Sequence, residues 1–274
     1  MSGDAARHLG RVLRAEAGQL YELSDGERVW LGRVEEAGRD RVEFALVEPI
    51  ASNEPRLQTT LLLAVVKFDS FEWALEKATE LGVRTIVPVA AARSEKALVQ
   101  SAEKRSERWK KILLEAAQQS RRVRVPELVA LAKPAAVFRR APGLKSLLEA
   151  SKSNSSGAEA PIESQALMSE LKLRPPVVKQ SLKILLSERA EAEALRSVLK
   201  DLPPQGDGDE ARPQNTRMGH PQATLAIGPE GGWTDEEFAA AEAAGFRQAS
   251  LGSLILRTET AVVVALANLN YALG

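Results

Sequence analysis

Two stretches near the C-terminus hold the residues best suited to chemistry. They are Ile227-Gly228-Pro229-Glu230-Gly231-Gly232-Trp233-Thr234-Asp235-Glu236-Glu237 and Leu251-Gly252-Ser253-Leu254-Ile255-Leu256-Arg257-Thr258-Glu259-Thr260-Ala261. Each reads as a strand that ends in a glycine-bearing loop and restarts as a helix. Glycine has no Cβ, so such loops can bring bare backbone N–H and C=O groups up to a flat polar ligand. Neither stretch is the phosphate-binding loop pattern or the dinucleotide fingerprint. The same glycines are also readable as simple turn formers.

The elements that must position these loops follow from the apolar pattern. Thr60-Leu61-Leu62-Leu63-Ala64-Val65-Val66 is a continuous apolar run, as expected of a strand buried on both faces of a parallel sheet. Phe71, Ala74, Leu75, Ala78 and Leu81 follow at helical spacing, with Gly82 placed to end the helix. Further strands are expected over Arg84–Val89, Leu182–Leu186 and Ala223–Ile227, and helices along Trp109–Ala117, Ala190–Leu199 and Thr258–Ala272. Thr234 and Glu237 form a capping-box pair. The final helix is apolar around most of its circumference, which predicts a second buried face against a partner subunit. Strands alternating with helices make an α/β sheet.

Before this lies a segment of a different kind. Gln19–Leu23, Arg28–Val34 and Arg41–Val47 are short alternating runs, the first two joined through Asp25-Gly26, which predicts a hairpin within a small barrel or sheet. Pro49 to Pro55 reads as a linker. Residues 151–180 and 202–221 are rich in Ser, Pro, Gly and charge and read as mobile surface insertions.

The 274 residues suffice for one or two domains, and 44% hydrophobic with 27% charged residues is ordinary for a soluble globular protein. There is no cysteine, which excludes disulfides, a thiolate nucleophile and a cysteine metal site. His8 and His220 are too few and too far apart for a metal site, so none is expected. No apolar leader and no long apolar span is present, so a cytoplasmic, non-membrane protein is expected. Net charge is zero, yet residues 101–124 carry eight Lys/Arg against three acids. Arg7, Arg11 and Arg14 would share one face if helical. Either cluster can be a solvated surface; together they point toward a phosphate-bearing partner.

The order of these features resembles the RsmE family of the SPOUT superfamily, bacterial enzymes that methylate N3 of a uridine in small-subunit ribosomal RNA. The resemblance rests on Arg7-His8-Leu9 with Arg11–Arg14, Glu72-Trp73 with Glu76–Val83, and Pro88 with Arg93-Ser94. It continues through Glu115–Ala117, Gln119-Ser120, Arg122 and Val125-Pro126, then Gly228–Gly232, and Leu251-Gly252 with Ile255–Ala261. The chain departs from the family at Leu254 (usually arginine), Ser253 (proline), Phe68 and Ser70 (glycine and arginine) and Gln118 (glutamate). The resemblance implies a PUA-like RNA-binding β-barrel over 1–55. Over 59–274 it implies a SPOUT methyltransferase domain, a parallel sheet with a trefoil knot, acting as a homodimer. The cofactor implied is S-adenosylmethionine and the partner the small ribosomal subunit.

Methyl transfer asks mainly for alignment, but uridine N3 must also lose a proton. Glu230 and Glu259 are candidates for the base, and Arg257 for electrostatic stabilisation. Glu259 is equally readable as a first-turn helix acid, Glu230 as a loop hydrogen-bonder and Arg257 as a phosphate ligand. The resemblance places Leu186, Ile227, Gly228, Gly231, Gly232, Leu251, Gly252, Ile255, Leu256 and Thr260 around the cofactor, and Arg7, Arg11, Arg14, Arg93 and Arg122 on RNA. Trp73 lies off the apolar stripe and can stack on a base or pack at an interface. Two other readings are a SPOUT enzyme acting on a different RNA and a non-catalytic RNA-binding or ribosome-assembly protein.

Overall fold

The computed structural model describes residues 1–12, 14–38, 40–51, 55–140, 181–200 and 221–273. The insertion expected over 151–180 lies outside the described residues, as does that over 202–221 apart from Pro221.

The N-terminal part is an antiparallel sheet of three strands, β1 (Leu20–Ser24), β2 (Val29–Ala37) and β3 (Val42–Ile50), in that order. The expected hairpin is present: Ser24 pairs with Val29 across the turn, Gly26 takes φ +88°, and Asp25 Oδ1 accepts the amides of Glu27 and Arg28. Ala6, Ala15, Val34 and Val42 make a small core on this sheet. Among the described residues the three strands stay an open sheet, extended by one bridge between Ser2 and Arg41, where the resemblance implies a closed barrel. Two further expectations are corrected. Pro49 pairs opposite Trp30 within β3, so the strand runs into the expected linker; an edge strand tolerates a residue without an N–H. The short helix α1 (Asp4–Arg7) is followed by a wide π turn over His8–Val12, and Arg14 takes φ +49°. That break removes the single helical face expected for Arg7, Arg11 and Arg14, although all three remain exposed.

The rest forms a seven-stranded parallel sheet. Its strands are β4 (Gln58–Ala64), β5 (Thr85–Val89), β6 (Glu127–Leu128), β7 (Ser181–Leu186), β8 (Glu193–Ala194), β9 (Gln222–Ile227) and β10 (Arg247–Ser250). Their order is β6-β5-β4-β9-β7-β10-β8. Period-two alternation divides the central strands between two cores. Leu61 and Leu63 face Phe71, Leu75, Trp109, Leu113, Val262 and Leu266, whereas Leu62 and Ala64 face Phe138, Trp233, Phe238 and Phe246. The first core is supplied by α2 (Phe68–Glu80), α4 (Ser106–Gln119) and α8 (Thr258–Leu273), with α3 (Lys96–Ala102) alongside. The second is covered by α5 (Pro134–Arg140) and α7 (Asp235–Ala243).

The apolar stripe of α2 is buried as its spacing predicts, and Gly82 follows it at φ +84°. The helix expected over 190–199 is shorter, because Glu193 and Ala194 pair with the edge of β10 before α6 (Leu195–Lys200) begins. The basic run of 101–124 is less free than its composition suggests. Buried Glu72 on α2 pairs with Arg105 at 3.0 Å and Arg108 at 2.8 Å, and Lys110 and Lys111 pair within α4.

Candidate functional site

The two glycine stretches meet at the carboxyl ends of β7 and β9, where open parallel sheets place their ligands. Between them lies a cleft of about 320 Å³, the size of a small-molecule site. β9 ends at Ile227, and the chain turns through Gly228–Gly232 with Gly232 at φ +68° and its amide on the Pro229 carbonyl at 2.8 Å. Trp233 folds back beneath this turn and buries its ring against Phe138. A Cβ on Gly228 would stand 3.0 Å from Trp233 Nε1, so a side chain there crowds the indole.

Three contacts hold the turn in place. Arg93, from the loop after β5, donates Nη1 to the carbonyls of Gly231 (2.7 Å) and Trp233 (3.2 Å). Glu237, buried in the first turn of α7, completes the expected capping box with Thr234 and also accepts the Ala92 amide at 2.8 Å. Thr258, the first residue of α8, donates its hydroxyl to the Gly228 carbonyl at 3.2 Å. This last bond ties the second glycine stretch to the first. The second loop leaves β10 through Gly252 at φ +135° and carries Leu254 and Ile255, 79% and 78% exposed, on the lip. At the opposite lip the guanidinium of Arg189 lies 3.8 Å over the Phe238 ring and pairs with Asp235.

Leu186, Ile227, Gly228, Gly231, Gly232, Leu251, Gly252, Ile255 and Leu256 all line the cleft, as does Glu230. Thr260 does not: it points outward from the first turn of α8, and Thr258 is the threonine that faces the cleft. Arg257 and Glu259 also lie outside the lining, Arg257 exposed and Glu259 half-buried. Arg93 is placed at the cleft and spends its guanidinium on loop carbonyls. Arg122 sits away from the cleft, donating to the carbonyls of Thr79 and Val83 at the end of α2. These backbone partners fix where each guanidinium sits in the protein. Sequence reasoning missed Thr258, Arg189 and Trp233; the strand-to-helix restart at residue 258 was the available signal for the first. Among the described residues no group of three or more His, Cys, Asp or Glu is placed to hold a metal ion.

A parallel sheet with paired glycine loops at its carboxyl edge frames a cleft of small-molecule size. A family profile described as RNA methyltransferase domain matches residues 53–172 and 176–270, and one described as RNA methyltransferase PUA domain matches 2–47. The ribosomal RNA small subunit methyltransferase E of Synechocystis is 30% identical over 265 residues, covering 96% of this chain and 69% of that protein. Its namesake in Mesomycoplasma hyopneumoniae is 31% identical, covering 81% and 73%. A solved Neisseria gonorrhoeae structure of that name, bound to S-adenosylmethionine, is 25% identical with a TM-score of 0.70, covering 99% of this chain and 90% of that one. A Legionella pneumophila methyltransferase with the same bound cofactor gives 26% and 0.70 over the same shares. The chain belongs to the ribosomal RNA small subunit methyltransferase E (RsmE) family.

Proposed function

We propose that the protein uses S-adenosylmethionine to methylate N3 of a uridine in small-subunit ribosomal RNA. The observation that carries this reading is the cleft framed by Gly228–Gly232 and Gly252–Leu256, in a chain similar to two solved methyltransferases that hold that cofactor. The site's make-up fits the group: a backbone kept bare at Gly228, apolar walls from Leu186, Ile227, Leu251 and Leu256, and room for a nucleoside. When bound, S-adenosylmethionine supplies a methyl group already activated by its sulfonium.

What the chain itself must do is hold and align, and take the N3 proton. Glu230 and Glu188 are the carboxylates lining the cleft, and Glu230, on the glycine turn, is proposed as the base. Arg257 and Glu259, just outside the cleft, are proposed to meet the RNA; Thr258 replaces Thr260 in the cofactor shell. Exposed Arg7, Arg11 and Arg14 on the N-terminal sheet domain are proposed RNA contacts. The proposed division is an RNA-binding unit over 1–55 and a methyltransferase unit over 59–274. A homodimer is proposed on the exposed apolar residues Leu254, Ile255 and Tyr271. A knotted C-terminus is proposed from the family and from the path after β10. That path doubles back past the β9 turn, where Thr258 binds Gly228, and then packs α8 on α2. No described helix is long and apolar enough to cross a membrane, and cytoplasmic ribosomal subunits are the proposed substrate.

Deleting the gene should remove 3-methyluridine from small-subunit ribosomal RNA, and the purified protein should restore it. Retention of that nucleoside in the deletion strain would refute the assignment. Exposed Leu254, at a position where the resemblance implies that the family usually carries arginine, favours one second reading, a different RNA target. In that case methyl transfer occurs, but to RNA other than the small subunit's.

A further inference from the structure

A second cleft, of about 350 Å³, lies at the other end of the parallel sheet and is lined by Arg84, Arg122, Arg124, Gln58, Glu127 and Gly82. Gln58 opens β4, Arg84 directly precedes β5 and Glu127 opens β6, so these are the amino ends of strands whose carboxyl ends face the glycine loops. With β4 seven residues long, the two clefts stand roughly 20 Å apart along the strands.

The cleft is also where the N-terminal sheet docks. Ser24 Oγ donates to the Val123 carbonyl at 2.9 Å, and Arg124 Nε donates to the Gly26 carbonyl at 2.9 Å. Gly82, at φ +84°, lets Pro55 pack closely against the end of α2: a Cβ there would come within 2.6 Å of Pro55 Cγ. Three arginines therefore line a concave surface with a single carboxylate, in a chain of zero net charge. Arg122 is fixed by its two carbonyl partners and Arg124 by its one. The exposed Arg84 side chain makes no hydrogen bond or ion pair among the described residues. Guanidinium forks suit phosphate oxygens, and a preorganised fork loses little freedom on binding.

We propose that this interdomain cleft binds a phosphate group of the RNA backbone, with Arg84 and Arg124 as its cations. The proposal rests on the reading of the chain as an RNA methyltransferase. The cleft then acts in positioning, because phosphate contacts set register and leave base recognition to the methyl-transfer site.

Arg84→Gln tests this without removing any hydrogen bond that holds the fold. Affinity for small-subunit ribosomal RNA is measured across a salt series, with and without added inorganic phosphate, beside S-adenosylmethionine affinity and methylation. The expected result is weaker RNA binding and a log–log salt slope shallower by about 0.7 to 0.9, with cofactor affinity unchanged and Arg84→Lys restoring the slope. An unchanged slope alongside normal methylation would overturn the phosphate seat and leave the methyltransferase reading intact. Sensitivity to inorganic phosphate that Arg84→Gln abolishes, with RNA affinity unaltered, would make this a free-phosphate site and overturn the RNA assignment. Cofactor binding with no RNA binding by the unaltered protein would overturn both.

Discussion

Arg93 and Gly231 are 138 positions apart in sequence, yet Arg93 Nη1 reaches the Gly231 carbonyl at 2.7 Å and its methylenes pack over the Gly231 backbone. The neighbouring Ala92 amide is fixed by Glu237, so the glycine turn is held from the β5 side by one carboxylate and one guanidinium. This arrangement makes Arg93 a positioning residue for the glycine turn.

Arg93→Ala should weaken S-adenosylmethionine binding about tenfold, taking roughly 1.5 kcal/mol for a charge-assisted hydrogen bond on a partly exposed side chain. Arg93→Lys should recover part of the loss. Calorimetry with the cofactor measures both, and the melting temperature of Arg93→Ala should also fall by about 2 to 4 °C, because the bond is made without cofactor.

Gly228→Ala forces a methyl group to within 3.0 Å of Trp233 Nε1. Either the indole or the turn must shift, at a cost of about 1 to 3 kcal/mol. The expected outcome is a lower melting temperature together with loss of cofactor affinity, measured by thermal denaturation and equilibrium binding.

Arg121, just past the end of α4, sits at φ +53°, in the left-handed region that costs a side chain roughly 1 kcal/mol. Its ion pair with Glu22, 3.8 Å long and exposed, offsets little of that. Arg121→Gly should therefore raise the melting temperature by about 2 to 4 °C, read by calorimetric unfolding.

Backbone amides of Arg28 and then Glu27 donate to the Asp25 carboxylate and hold its pKa below the ordinary value. Because the folded value is the lower one, the carboxylate stabilises the hairpin above the unfolded pKa. That contribution fades as pH falls through the folded pKa. Amide chemical shifts of Glu27 and Arg28 should follow one acid titration, absent in Asp25→Asn.

Much of the scaffold was legible because apolar runs and periodicity are local. The strand at 60–66, the stripe of α2, the Asp25-Gly26 hairpin and the Thr234 cap all depend on residues close in sequence. What escaped depends on partners far away. Arg93 and Arg122 look like free cations until the carbonyls of Gly231 and Thr79 are seen beside them. The basic run in α4 looks unbalanced until Glu72 arrives from α2. Thr258 and Thr260 differ only in helical phase, and the bond to Gly228 decides which one turns inward. Glu193 and Ala194 read as helix because their pairing with β10 is invisible locally.

Amide hydrogen exchange with and without S-adenosylmethionine puts the glycine-loop site to its sharpest test. Protection should rise at Gly228–Gly232 and Gly252–Leu256 while the amides around Arg84 and Arg124 stay unchanged. Binding of the cofactor with no added protection at either glycine loop would show that it is held elsewhere.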